Sequence, residues 1–216
     1  MGIGKFFSNA ANLLFLGVGI SDAGTIPRKI DLSKIGEAQN WRLLNCSASP
    51  VVFKGKEAVR LNAKDGEGLA LYEGLELSAG KVDLSIAGIS QNIGLVVRAR
   101  SEQAYEVIKF EVDADNAAQR LALTLRLGDQ HTVVELSPRL IDEWLTARVV
   151  LAREFTAVFL NNSNTPSLKV SVRGFSNADG DSSTASNGKI GFQIGNQAQA
   201  LVADLKYIQT KKRDFE

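Results

Sequence analysis

Short runs in which apolar and polar residues alternate return about every ten residues along this chain, each closed by a turn signal. Val59-Arg60-Leu61, Val82-Asp83-Leu84-Ser85-Ile86, Leu121 to Leu127, Leu168 to Val172 and Ile190 to Ile194 all show the pattern. A period of two is the mark of a half-buried strand, because successive side chains point to opposite faces of a sheet. Between the runs lie Lys54-Gly55-Lys56, Asp65-Gly66-Glu67-Gly68, Leu127-Gly128-Asp129, Asn161 to Asn164 and Asn187-Gly188. Gly, Asn and Asp are the residues that turn a chain most readily. The spacing predicts an all-β, two-sheet antiparallel sandwich rather than βαβ units. A length of 216 residues suits one such domain, which commonly reaches roughly 200 residues.

Pro27, Pro50, Pro138 and Pro166 are read at or outside strand ends, where a missing N–H does least harm. The one helix candidate inside the domain is short, Ser137 to Glu143, and the small polar run Ser176 to Asn187 reads as a surface loop. A net charge of +1 and the absence of a basic cluster before Lys211-Lys212-Arg213 remove the simplest basis for binding nucleic acid. Cys46 is the single cysteine, so an internal disulfide and a cysteine-rich zinc site are excluded, and it reads as a buried small hydrophobe. His131 is the single histidine, which excludes any mechanism that needs two.

The N-terminus differs from the rest. Lys5 is followed by a mostly apolar stretch from Phe6 to Ile20, with Ser21-Asp22-Ala23 supplying small residues for cleavage. This layout predicts a signal peptide over residues 1–23, an exported chain (periplasmic or extracellular), and a sandwich domain over residues 24–216. The competing reading is an N-terminal helix packed on the sandwich. The apolar core is shorter than the ~20 residues of a membrane-spanning helix, so no integral membrane protein is expected.

Phe53 to Asn62, Gly94 to Arg98 followed by Tyr105, the strand led by Trp144 and ending Arg148-Val149-Val150, Gly188 to Phe192, Gly195, and Ala203 to Tyr207 together resemble segments of the concanavalin A-like superfamily, in particular of laminin-G-like jelly-roll domains attached to bacterial sugar-processing proteins. The likeness spans Thr25 to Lys211. The resemblance implies a lectin-like or carbohydrate-binding sandwich, or a glycoside hydrolase-like or polysaccharide-lyase enzyme, and fold alone does not choose among these.

Strand parity places residues on faces. With Ile108, Phe110 and Val112 toward the core, Tyr105, Val107, Lys109, Glu111 and Asp113 share the opposite face. The same reasoning adds Arg98, Arg100, Arg120, Arg126, His131, Glu135, Trp144 and Arg148 from other strands. Ligand-binding candidates are therefore Arg98, Arg100, Tyr105, Lys109, Glu111, Asp113, Arg126, His131 and Trp144. In similar proteins the concave sheet face is a glycan groove. The alternative is a solvated face with cross-strand ion pairs worth about 0.2–1 kcal/mol each.

Glu111-Val112-Asp113-Ala114-Asp115 is similar to the Glu-x-Asp-x-Glu strand of laminarinase-type β-glucanases. Retaining hydrolysis needs two carboxyls about 5–5.5 Å apart. Asp115 is one methylene shorter than that pattern's glutamate, and the flanking Trp is missing. Gln130-His131 resembles a lyase motif whose Tyr/Lys signature is missing. Calcium, the cation such oxygen ligands suit, has weak candidates in Asp113, Asp115 and Asn116, or in Asp179 and Asp181. No cofactor is required. The favoured reading is a secreted, non-catalytic sandwich that binds carbohydrate on its polar face. The alternatives are a glycan-cleaving enzyme using Glu111 with Asp113 or Asp115, and a structural protein-interaction domain.

Overall fold

The computed structural model describes residues 26–88, 92–113, 120–127, 130–136, 143–152, 155–171 and 187–210; for 112–113, 120–127 and 130–136 the description covers the backbone alone. The export segment over residues 1–23, the short helix candidate Ser137 to Glu143 except Glu143, and the polar run Ser176 to Asn187 except Asn187 lie outside these residues. Fifteen strands are described. They are β1 (Arg28–Lys29), β2 (Trp41–Leu44), β3 (Cys46–Phe53), β4 (Lys56–Ala63), β5 (Gly68–Tyr72), β6 (Gly80–Ala87), β7 (Asn92–Ala99) and β8 (Glu106–Asp113). They continue as β9 (Arg120–Leu127), β10 (Gln130–Leu136), β11 (Leu145–Leu151), β12 (Phe155–Leu160), β13 (Leu168–Ser171), β14 (Lys189–Ile194) and β15 (Gln199–Gln209). A 3-10 turn at Leu32–Lys34 follows β1, and Asp31 caps it by accepting from the Ser33 amide.

The strands form two antiparallel sheets. One has eight strands in the order β13-β12-β11-β6-β15-β4-β3, with β1 also paired to β15; the other has seven, ordered β10-β9-β8-β7-β14-β5-β2. Period-two patterning buries the facing sides. Val82, Leu84 and Ile86 of β6 and Val149 of β11 meet Ile93, Leu95 and Val97 of β7, Ile108 and Phe110 of β8, and Ile190, Phe192 and Ile194 of β14 in one core. Burial of each such side chain contributes about 1.5–3 kcal/mol. Trp41 stacks on Phe192 at 6.1 Å between ring centroids and tilts against Tyr72 at 5.1 Å. The all-β sandwich expected from the alternation is the observed fold.

Lys54 and Gly55 join β3 to β4 with positive φ at both positions, 48° and 75°, as a two-residue hairpin turn between paired Phe53 and Lys56 requires. Pro50 corrects the sequence reading, because it lies inside β3. That strand is the edge of its sheet, so a missing N–H can face away from the ladder. Cys46 is buried, as the sequence reading has it, its thiol donates to the Leu69 carbonyl at 3.3 Å, and burial pushes the thiol pKa up. No helix among the described residues is long and apolar enough to cross a membrane.

Along β15, two strands share one lane. β4 pairs with Gln199 to Val202, and β1 then pairs with Lys206 and Tyr207. Between them β15 bulges, with Asp204 at a φ of 55°, and a cleft of about 540 Å³ opens among Ile30–Ser33, Pro50–Val52, Glu57–Val59 and Ala203–Asp204.

Candidate functional site

The seven-stranded sheet carries a second apolar layer on its outer side. Ala70 and Tyr72 of β5 belong to the core, so Leu69 and Leu71 point outward. There they join Val96 and Ala99 of β7 and Val107 of β8 in a buried cluster, with Leu44 and Tyr105 packed on it. Two glycines keep this layer low. A Cβ at Gly94 would stand 2.3 Å from Val107 Cγ2, and one at Gly191 would stand 2.0 Å from the Ala70 carbonyl oxygen. Leu69, Leu71, Val96, Ala99 and Val107 are all buried although they lie on an outer face.

A connected set of polar groups lies over it. Gln193 of β14 is 3% exposed and its Nε2 donates both to Glu67 Oε2 and to Tyr105 Oη, each at 2.9 Å. Glu67 also faces Lys109 Nζ at 3.8 Å. Toward the β2 edge, Arg42 donates to Glu73 at 3.0 Å and to Glu102 at 3.1 Å, and Lys189 donates to Glu73 as well. Hydrogen bonding from Lys189 is the largest cause holding the Glu73 carboxyl below its usual range, with Arg42 adding to it. The phenol of Tyr105 is thus fixed at its tip by a hydrogen bond and along its ring by apolar contact. A ring held in this way is a preorganised flat surface flanked by donors and acceptors.

Tyr105, Lys109 and Glu111 do share the outer face, as parity requires. Register sets Arg126 opposite Val107, His131 opposite Arg126, Arg120 opposite Asp113 and Glu135 opposite Ala122. The side chains of Asp113, Arg120, Arg126, His131 and Glu135 lie outside the description, as do Asp115, Asn116, Asp179 and Asp181 entirely. Among the described residues no group of three His, Cys, Asp or Glu is placed to hold a metal. Arg100 is exposed in the loop after β7, where its amide donates to the Ala104 carbonyl at 2.9 Å.

Three assignments change. Arg98 is not on the outer face: it is 3% exposed and ties the ends of the two sheets together. Its guanidinium donates to the Ser78 carbonyl at 3.0 Å, the Ala152 carbonyl at 3.1 Å and Glu106 at 2.7 Å. The cause is a φ of 51° at Arg98, a local break that reverses parity. Burial pushes the Glu106 carboxyl above its usual value, against the opposing pull of Arg98. Trp144 and Arg148 belong to the other sheet. Trp144 Nε1 donates to the Phe53 carbonyl at 3.3 Å, with Lys56 Nζ 4.9 Å over its ring, while Arg148 pairs with Asp83 at 2.8 Å. Sequence reading missed Gln193 and Glu67. The signal for Gln193 was present, since it is the polar member of the alternating run Ile190 to Ile194; Glu67 was hidden in a turn.

No protein-family model matches the chain, and no curated protein matches it. Solved structures do. A carbohydrate-binding module, CBM66, from Bacillus subtilis is similar with a TM-score of 0.55 at 12% identity, over 77% of this chain and 93% of that one. A glycoside hydrolase family 16 endo-glucanase from Bacteroides ovatus gives 0.58 at 10%, over 84% and 99%. A Bacillus subtilis protein with a galectin-like fold gives 0.55 at 14%, over 86% and 96%. Joined to the two antiparallel sheets and their shared core, these likenesses identify the fold as a jelly-roll β-sandwich.

Proposed function

We propose that this domain binds carbohydrate on the outer face of its seven-stranded sheet and does so without catalysis. One observation carries the reading. Tyr105 lies on a buried outer apolar layer, with its hydroxyl bonded to Gln193, which also bonds Glu67. A planar ring over an apolar layer, flanked by an amide, a carboxylate and the Lys109 ammonium, is the equipment that a sugar's apolar ring face and its hydroxyls require. The sandwich likeness to a carbohydrate-binding module supports it. Export of the chain by residues 1–23 belongs to the same proposal.

A glycan-array screen of the chain, with and without calcium, tests it. Wild type is expected to retain a defined set of glycans, and Tyr105→Ala to lose them. Binding that survives Tyr105→Ala would move the site elsewhere. Hydrolysis of a β-glucan that Glu111→Gln abolishes would replace a binding module with an enzyme, because Glu111 is the described carboxylate of the Glu111-to-Asp115 motif on this face.

A further inference from the structure

We infer that the ligand of this face is a neutral glycan and not an acidic one; the inference rests on the carbohydrate-binding reading above. Three described cations of the face are committed to its carboxylates. Arg42 is shared between Glu73 and Glu102, Lys189 is held by Glu73, and Lys109 faces Glu67. Three described cations thus meet three carboxylates, and Glu111 adds a fourth on the same face. The two lysines are also sheltered, with side-chain exposures of 17% for Lys109 and 26% for Lys189.

A uronate or sulfate group arriving here would meet carboxylates beside every one of these ammonium or guanidinium groups. To pair with Lys109 it would have to displace Glu67, and that carboxylate also accepts from Gln193. Displacement would take one of the two acceptors from an amide that is 3% exposed, which is costly. A neutral sugar avoids the exchange. Its hydroxyls can donate to Glu67 and Glu111 or accept from Lys109 while the existing pairs stay in place. The Tyr105 ring, held on the buried cluster of Leu69, Leu71, Val96 and Val107, offers a flat face to a sugar ring and no charge to an anion.

Calorimetric titration of the full chain against mixed-linkage β-glucan, inulin, polygalacturonate and alginate, at low and at high salt, tests the inference. The neutral polymers are expected to bind with affinity almost unchanged by salt, and the polyuronates to bind at least about tenfold more weakly. Glu67→Gln supplies the reciprocal test, since it keeps an oxygen for Gln193 while releasing Lys109. It is expected to raise polyuronate affinity by about two- to fivefold, within the range of one partly exposed ion pair. Polyuronate bound more tightly than any neutral polymer, with affinity falling steeply as salt rises, overturns the inference and leaves the carbohydrate reading intact. Failure of all four polymers and of the glycan array removes both.

Discussion

The outer faces of the two sheets are built from the same residue types and arranged differently. On the eight-stranded sheet the described polar contacts have no second buried apolar cluster beneath them. Arg148 pairs with Asp83, Lys56 bridges Asp204 and Ser85, Lys169 sits 4.6 Å over the Phe155 ring, and Trp144 leans on Phe53. On the seven-stranded sheet, Lys109, Glu67, Gln193 and Tyr105 connect through one another above a buried apolar cluster. A charged, aromatic-bearing face is therefore not by itself a site. What separates the two is the layer beneath: linked polar groups occur on both, since Lys56 also lies over the Trp144 ring, but on the seven-stranded sheet they sit over a buried apolar cluster that helps to hold several side chains in one fixed arrangement.

The largest expected effect lies where the two sheets are joined. Arg98→Ala removes a buried guanidinium and leaves the half-buried Glu106 without that partner, and should cost about 3 kcal/mol of stability by chemical denaturation. The pH dependence has a definite sign. Because Glu106 titrates above its usual value of 4.5 in the folded chain, the native state holds that proton more tightly than the unfolded chain, and stability from this group falls as pH rises through the window between the two values. Removing Arg98 takes away the opposing pull and raises the folded carboxyl further, so this part of the variant's deficit should shrink as pH is lowered toward that window. A deficit independent of pH would show that Arg98 acts through its carbonyl contacts alone.

Tyr105→Ala comes next. It should weaken glycan binding by about 1 kcal/mol or more and lower stability by about 1 kcal/mol, because the ring also packs on the apolar cluster. An equal loss of binding in Trp144→Ala would erase the distinction between the faces. On the eight-stranded sheet, Asp204 is held below the usual carboxylate range, first by its hydrogen bond from Lys56. That contribution is present above 3.8 and is lost as pH falls through the lowered value, so Lys56→Met should flatten the acid limb of the stability profile. The smallest effect belongs to Arg148→Ala, which breaks one exposed pair. It should change stability by about 0.2–1 kcal/mol and binding not at all.

Parity made the fold and most of the core legible, because alternation in β6, β8 and β14 is uninterrupted and Phe110 is fully buried as expected. It failed wherever the backbone departs from a regular strand. Arg98 reads as a surface residue until its φ of 51° turns it inward. It also reports which side of a strand a residue takes and nothing about which sheet the strand joins, so Trp144 and Arg148 were grouped with Tyr105 although β11 lies in the opposite sheet. Pairing between Gln193 and Glu67 spans 126 positions, and no local pattern encodes a contact at that separation.

The lane shared by β4 and β1 along β15 bears on the order in which the molecule can be made. β15 is the last strand described, yet it stands between β6 and β4 in the interior of its sheet. Until Gln199 to Gln209 are in place, β6, β11, β12 and β13 have no ladder to β4 and β3, and the N-terminal β1 has nothing to pair with. Assembly of that half of the sandwich therefore depends on contacts of high sequence separation, the kind that form slowly. Deleting β15 would not trim an edge; it would divide the sheet in two.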